Sequence, residues 1–228
     1  MEKDLYVGSL SRYYTQNWFE DLEPADSDLT PAEIQKITSG WRDSVMQAIQ
    51  STVGKREGWE ERLDGPFRLA KLEEPAVDAL LLYAAAKMYN EPYPGRLPLD
   101  WNPDDEPLIQ RAKADEQANW SLFRNAEWWL PVEQPLLFQG ETPTGDMITL
   151  STAGALMLEL LRLNELGWKA DEAAVLSWSE RKVDRNEEGY STVSLARNAY
   201  SNLWQSAKFA LQNNLPIVLE RDTDEETE

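Results

Sequence analysis

The chain has 228 residues and contains neither cysteine nor histidine, and 41 acidic against 22 basic side chains give a formal net charge of −19. Without cysteine and histidine, disulfides, Cys/His zinc sites and Ser–His–Asp or Cys–His catalysis are excluded. A strongly negative field repels nucleic acid and anionic lipid and attracts basic proteins. We therefore expect a basic protein partner, no nucleic-acid binding and no cofactor.

No targeting or membrane segment is predicted. Residues 1–7 lack the basic start and apolar run of a signal peptide. The longest apolar run, residues 79–86, is far shorter than the roughly 20 residues that span a bilayer. We expect a cytoplasmic protein that does not contact the membrane.

The first predicted element is a short strand over residues 4–10, and an acidic loop at residues 20–28 follows it. A helix then begins after Thr30, because Thr30 can cap it, Pro31 suits its first position and Glu33 completes a capping box. One face of this helix is expected to be buried, since apolar residues recur every three or four positions. They are Ile34, Ile37, Trp41, Val45, Ala48, Ile49 and Val53.

A second helix over residues 75–89 is apolar almost all round, which predicts a central position in the protein. Four prolines between positions 92 and 103 predict a long exposed loop. Further elements follow in this order: a helix over 106–123, a hairpin of 136–139 with 147–150, helices over 152–166, 171–183 and 194–213 with a loop at 184–189, and a strand over 216–219.

This order of elements predicts the α+β class: a mainly helical protein with a small antiparallel or mixed sheet that has helices on one side. We expect a single globular domain over residues 1–221. Residues 222–228 are polar and acidic, and we expect them to form a disordered tail.

No catalytic or metal-binding motif is complete. The segment most similar to a phosphate-binding loop, residues 54–56, lacks the first glycine of that motif and its final serine or threonine. Residues 100–104 imitate the start of a calcium loop, but Asp105 replaces its glycine and Arg111 replaces its final glutamate. We assign no catalytic residue and no metal ligand from the sequence.

Two carboxylates on predicted helices receive structural interpretations. Asp78 lies in the first turn of the apolar helix, and we interpret it as a member of a structural ion pair rather than a catalytic group. Glu159, Arg162 and Glu165 recur at three-residue spacing, which predicts a solvated helix face.

Some of the ten tryptophans are candidates for exposure. Trp128 and Trp129 are adjacent, so their side chains point to different sides of a strand or helix and one of them can reach the surface. Trp101 lies among prolines and acids in the long loop. Exposed aromatic rings beside charge suit binding hot spots, and the alternative is that these rings fold back over the core.

Positive charge is absent from three stretches, residues 13–35, 97–110 and 125–161, which we call the cation-free stretches. If two of them lie side by side in the fold, the protein has a surface that carries only negative charge. The alternative is acidity spread evenly for solubility.

These observations favour an acidic protein-binding protein, such as an immunity or inhibitor protein that neutralises a basic toxin or nuclease. The expected contact residues are Trp101, Asp104, Asp105, Glu106, Trp128 and Trp129. The alternative is a metal- or carboxylate-dependent hydrolase without histidine, which requires a concave pocket with two inward carboxylates. A third interpretation, a structural subunit, requires a large apolar patch.

Overall fold

The computed structural model describes residues 2–17, 29–54 and 58–220, so the predicted acidic loop and acidic tail lie outside the described residues. The helices are α1 (Leu10–Tyr14), α2 (Pro31–Val53), α3 (Ala76–Tyr89), α4 (Pro107–Ala114), α5 (Ala153–Leu166), α6 (Glu172–Ser179) and α7 (Thr192–Asn213). The strands are β1 (Glu2–Val7), β2 (Arg68–Glu73), β3 (Arg96–Leu97), β4 (Trp128–Leu130), β5 (Leu137–Glu141), β6 (Met147–Thr152), β7 (Arg185–Asn186), β8 (Gly189–Ser191) and β9 (Ile217–Leu219).

The main sheet has the strand order β2-β1-β9-β4-β6-β5. The β4–β6 pair is parallel and the other pairs are antiparallel, so the sheet is mixed. A small antiparallel sheet of β3, β8 and β7 lies apart from it. The α+β class is therefore confirmed. No helix in the described part of the chain has both the length and the hydrophobicity that crossing a bilayer requires.

Both faces of the main sheet are covered, so the expectation of helices on one side is wrong. In β1, Leu5 and Val7 belong to the principal core, which α3, α5 and α7 complete. Tyr6, between them, belongs to a second core that includes Ile49 of α2 and Trp59. Alternate side chains of a strand point to opposite faces, so each face has its own hydrophobic cluster.

Side chains cap the starts of α2, α5 and α6, and the cap at Thr30 was predicted. Thr30 Oγ1 accepts a hydrogen bond from Glu33 N, and Glu33 Oε2 accepts one from Thr30 N at 2.8 Å, which closes the capping box. The Thr152 side chain accepts from Ala155 N at the start of α5, and that of Asp171 accepts from Ala174 N at the start of α6. The expected buried face of α2 is only partly right, since Ile37 is exposed.

The apolar helix α3 is central, as predicted, and it packs against α7. Its residues from Ala79 to Ala86 are all buried. Asp78 is half-buried in its first turn, and its membership of an ion pair stays a prediction.

Several elements differ from the predictions. The helix expected over 106–123 ends at Ala114, because the chain turns back and Arg124 donates to the carbonyl oxygens of Lys113 and Asp115. The predicted loop at 184–189 forms part of the β7–β8 hairpin. The helix expected to reach residue 183 ends at Ser179, and α1, β2, β3 and β4 were not predicted.

The start of α5 lies directly against the segment that follows β4. Gly154 N donates to Val132 O at 3.0 Å, and a Cβ atom on Gly154 would lie 1.9 Å from Glu133 O. Only a residue without a side chain permits this approach.

Candidate functional site

The expected acidic contact residues lie in an ordered turn before α4. Asp104 and Asp105 are exposed, and Glu106 is half-buried. The Asn102 side chain accepts a hydrogen bond from Asp104 N and donates to Asp105 Oδ2, both at 3.1 Å. Lys113 Nζ lies 3.2 Å from Asp104 Oδ1 on the surface, where such a pair contributes little stability. The two carboxylates are therefore presented to solvent from a defined backbone.

Trp101 is less available than expected, because it packs against the principal core while it stays partly exposed. The exposed apolar side chain of this loop is Leu99, which retains 55% of its accessible surface. Leu99 lies in the proline-rich stretch that was predicted to be exposed. The proline-rich composition of this stretch is the sequence signal that indicates the exposure of Leu99.

Both Trp128 and Trp129 are buried, at 5% and 0% exposure, so the expectation that one of them reaches the surface is wrong. Trp129 faces the principal core and Trp128 faces the second core, because adjacent residues of β4 point to opposite faces. Helices cover both faces. Neither ring is available as an exposed aromatic anchor.

Two of the three cation-free stretches meet in the fold. Tyr14 of the first stretch packs on Trp128 of the third, with ring centroids 6.4 Å apart. Burial raises the pKa of Tyr14, and hydrogen bonds with Thr142 and Thr144 act in the opposite direction. Tyr14 therefore connects the end of α1 to the turn of the β5–β6 hairpin.

The β5–β6 hairpin carries acids around an exposed apolar side chain. Glu141 and Asp146 are exposed beside the turn, and Met147 retains 62% of its accessible surface. Met147 pairs with Glu141 across the two strands. Together these three residues form what we call the hairpin patch.

A pocket of about 210 Å³ opens beside α5. Its wall combines leucine side chains with a few polar groups and one carboxylate. The lining residues are Asn119, Ser121, Pro135, Leu136, Leu137, Ser151, Ala155, Leu158 and Glu159.

The carboxylate of Glu159 is enclosed by hydrogen-bond donors in this pocket. Its Oε1 accepts from Ser121 N at 2.6 Å, and its Oε2 accepts from Ser121 Oγ at 2.8 Å. Ser121 Oγ in turn accepts from the indole Nε1 of Trp129 at 3.0 Å. Burial raises the pKa of Glu159 to about 7, although hydrogen bonds from Ser121 and Leu122 act to lower it.

The predicted solvated face is therefore right for Arg162 and Glu165, which are exposed, and wrong for Glu159, which is half-buried with its carboxylate in the pocket. The surface of α5 instead exposes Leu158 and Leu161 together with Arg162. A three-residue spacing identifies side chains that share a face, but it does not say which face is buried when leucines occupy both. Glu159 is the functional candidate that the sequence analysis missed.

A second buried carboxylate, Glu61, is held by neutral donors in the second core. It accepts hydrogen bonds from Ser11 N at 2.6 Å, Ser11 Oγ at 2.8 Å and Trp59 Nε1 at 2.5 Å. These bonds join the segment before β2 to α1. We interpret Glu61 as a structural group.

The hydrolase alternative requires two carboxylates in one pocket. Among the described residues, Glu159 is the carboxylate in the 210 Å³ pocket, and Glu133 is the carboxylate in a larger pocket of about 310 Å³ beside Trp59. Nowhere in residues 2–17, 29–54 and 58–220 do three Asp or Glu side chains form a group that could hold a metal ion.

Comparison with known proteins finds no matching family model, no matching curated protein and no matching solved structure.

Proposed function

We propose that this chain binds a basic protein through its acidic surface, as an immunity or inhibitor protein that neutralises a basic toxin or nuclease would do. The observation that best supports the proposal is the ordered loop before α4. There the exposed carboxylates of Asp104 and Asp105 accompany the exposed side chain of Leu99. Apolar contacts that exclude water retain a partner, and the surrounding charges steer its approach.

The charge distribution supports the same proposal. A net charge of −19 produces a long-range field that attracts basic proteins. The hairpin patch belongs to the third cation-free stretch, which contacts the first one through the rings of Trp128 and Tyr14. An inhibitor of a nuclease would present such carboxylates where the enzyme binds phosphates.

A capture experiment with matched variants tests the proposal. The loop variant carries Asp104→Lys, Asp105→Lys and Glu106→Lys. The control variant carries Glu180→Lys, Glu187→Lys and Glu188→Lys, three exposed acids elsewhere. Both variants change the net charge by the same amount, so a difference between them reports the position of the charge rather than its total.

Wild type and control variant are each expected to retain a basic protein from an extract of the native host at low salt, and to lose most of it at high salt. The loop variant is expected to retain much less of it. Equal retention by the loop variant and the control would contradict the loop as the binding site. If no basic protein is retained by any of the three, the proposed function is wrong.

One observation favours the hydrolase as a second candidate. A carboxyl group with a pKa of about 7 exchanges its proton near neutral pH, which is the property that a general acid or base needs. Hydrolysis of a glycoside or phosphate ester by the purified chain, lost in Glu159→Gln, would support this candidate over the binding protein.

A further inference from the structure

The pocket beside α5 has walls that are mainly apolar and a single charged group. Pro135, Leu136, Leu137 and Leu158 supply the apolar surface, and Glu159 supplies the carboxylate. The volume of about 210 Å³ is below the roughly 300–1,000 Å³ of pockets that hold drug-sized ligands. A pocket of this size suits one extended side chain or a ligand of similar size.

The carboxylate of Glu159 is held by neutral groups. Both short hydrogen bonds that it accepts come from Ser121. Two arginines close in sequence to these residues contact other groups: the guanidinium of Arg162 lies 6.0 Å from the ring centroid of Trp120, and that of Arg124 donates to backbone carbonyl oxygens. An enclosed carboxylate without a positive partner is costly when ionised, so a cation that enters the pocket compensates this cost.

The hydrogen-bond pattern favours an ammonium over a guanidinium group. An arginine binds a carboxylate best through both oxygens at once. Each oxygen of Glu159 already accepts one hydrogen bond from Ser121. An ammonium is a compact charge that requires one free lone pair, and each carboxylate oxygen of Glu159 has a lone pair that Ser121 does not use.

We propose that the Glu159 pocket binds a lysine side chain, which the basic partner supplies. The alkyl chain contacts Leu136, Leu137 and Leu158, and the terminal ammonium donates to the carboxylate of Glu159. That a protein supplies this lysine rests on the proposed function. The preference for an alkylammonium group rests on the pocket alone.

The full chain titrated with n-butylammonium tests the pocket. Binding is followed by the indole N–H resonance of Trp129, because this group donates to Ser121 Oγ, which donates to Glu159. We expect saturable binding at millimolar concentration, and at least about tenfold weaker binding of the neutral n-butanol, which cannot replace the ion pair.

The Glu159→Gln variant is expected to weaken n-butylammonium binding by about tenfold or more while butanol binding stays the same. Glu165→Gln is the matched control, since Glu165 is an exposed acid on the same helix. It removes the same charge and should bind n-butylammonium as wild type does. Equal binding of the amine and the alcohol by wild type, or equal loss in both variants, would overturn the proposal.

A second measurement needs no variant. Protonation of Glu159 competes with the amine, so the affinity of wild type for n-butylammonium should fall by about tenfold for each pH unit below the pKa of this carboxyl group. An affinity that does not change between pH 5 and pH 8 would overturn the proposal, because it would show that the amine does not compete with a proton for the carboxylate of Glu159.

Different results would contradict the lysine site and the proposed function. Specific n-butylammonium binding that is lost in Glu159→Gln supports the pocket even where no basic protein is captured. Retention of a basic protein with equal affinity by wild type and Glu159→Gln supports the proposed function and overturns the lysine site.

Discussion

Ser121 donates twice to Glu159, from its backbone N–H at 2.6 Å and from its hydroxyl at 2.8 Å. The same hydroxyl accepts from the indole of Trp129 on β4. A carboxylate on α5 is thereby tied to the sheet through one serine. The protein keeps an ionisable group in a small pocket at the boundary of the principal core.

The Glu159 carboxyl group should make stability depend on pH. Its pKa is about 7 in the folded chain against an ordinary value of 4.5. Between these values the folded state keeps the proton that the unfolded state has lost, so stability falls as pH rises through this window. The ionisation of this group lowers the free energy of unfolding by up to about 3 kcal/mol.

Glu159→Gln removes this titration, so the variant should gain stability relative to wild type when the pH is raised from 5 to 8. Urea unfolding at both pH values measures the gain, with Glu165→Gln as the control that keeps the wild-type dependence. Parallel curves for wild type and Glu159→Gln would show that this carboxyl group does not ionise near neutral pH.

Gly154→Ala should be severely destabilising, by about 2 kcal/mol or more, because a Cβ atom there would lie 1.9 Å from the backbone oxygen of Glu133. Gly40→Ala in α2 is the matched control, since nothing lies within 4 Å of the added carbon. That change should stabilise the chain by about 0.5–1 kcal/mol. Thermal unfolding compares the two, and similar melting temperatures would contradict the close approach of α5 to the segment after β4.

Leu82→Ala should cost about 2–5 kcal/mol, because Leu82 is fully buried in α3 at the centre of the principal core. Leu161→Ala on α5 is the matched control, since Leu161 is 46% exposed and loses much less buried surface. Denaturant midpoints measure both. A loss below about 1 kcal/mol for Leu82→Ala would mean that α3 is peripheral.

Leu99→Ala should raise the rate of partner dissociation without changing association or melting temperature, because an exposed apolar side chain acts through burial in the complex. Trp101→Ala should also raise the dissociation rate, and it should lower the melting temperature because Trp101 packs against the principal core. Surface plasmon resonance with thermal unfolding separates these effects. Unchanged dissociation in both variants would place the apolar contact elsewhere.

Local signals in the sequence predicted much of the fold. Thr30, Thr152 and Asp171 each cap a helix. A sequence can indicate such caps because capping depends only on residues within one turn. The hairpin predicted from residues 136–139 and 147–150 is likewise present as β5 and β6. These features need no knowledge of distant contacts.

The sequence did not predict features that depend on distant partners. The strand β4 has only three residues, and its burial on both faces results from α2 on one side and α5 on the other. The position of Glu159 depends on the rotation of α5 and on Ser121, 38 residues away. No spacing along the chain reports such a contact, so the pocket could be found only from the fold.

Association kinetics test the central claim most directly. The association rate of the chain with the proposed basic partner is measured between about 20 and about 300 mM salt for wild type, the loop variant and the control variant. Attraction by the acidic loop predicts a rate that falls about tenfold or more over this range in wild type and control, and a slower rate with a weaker salt dependence in the loop variant. A rate that is independent of salt, and equal in the three proteins, would contradict the account.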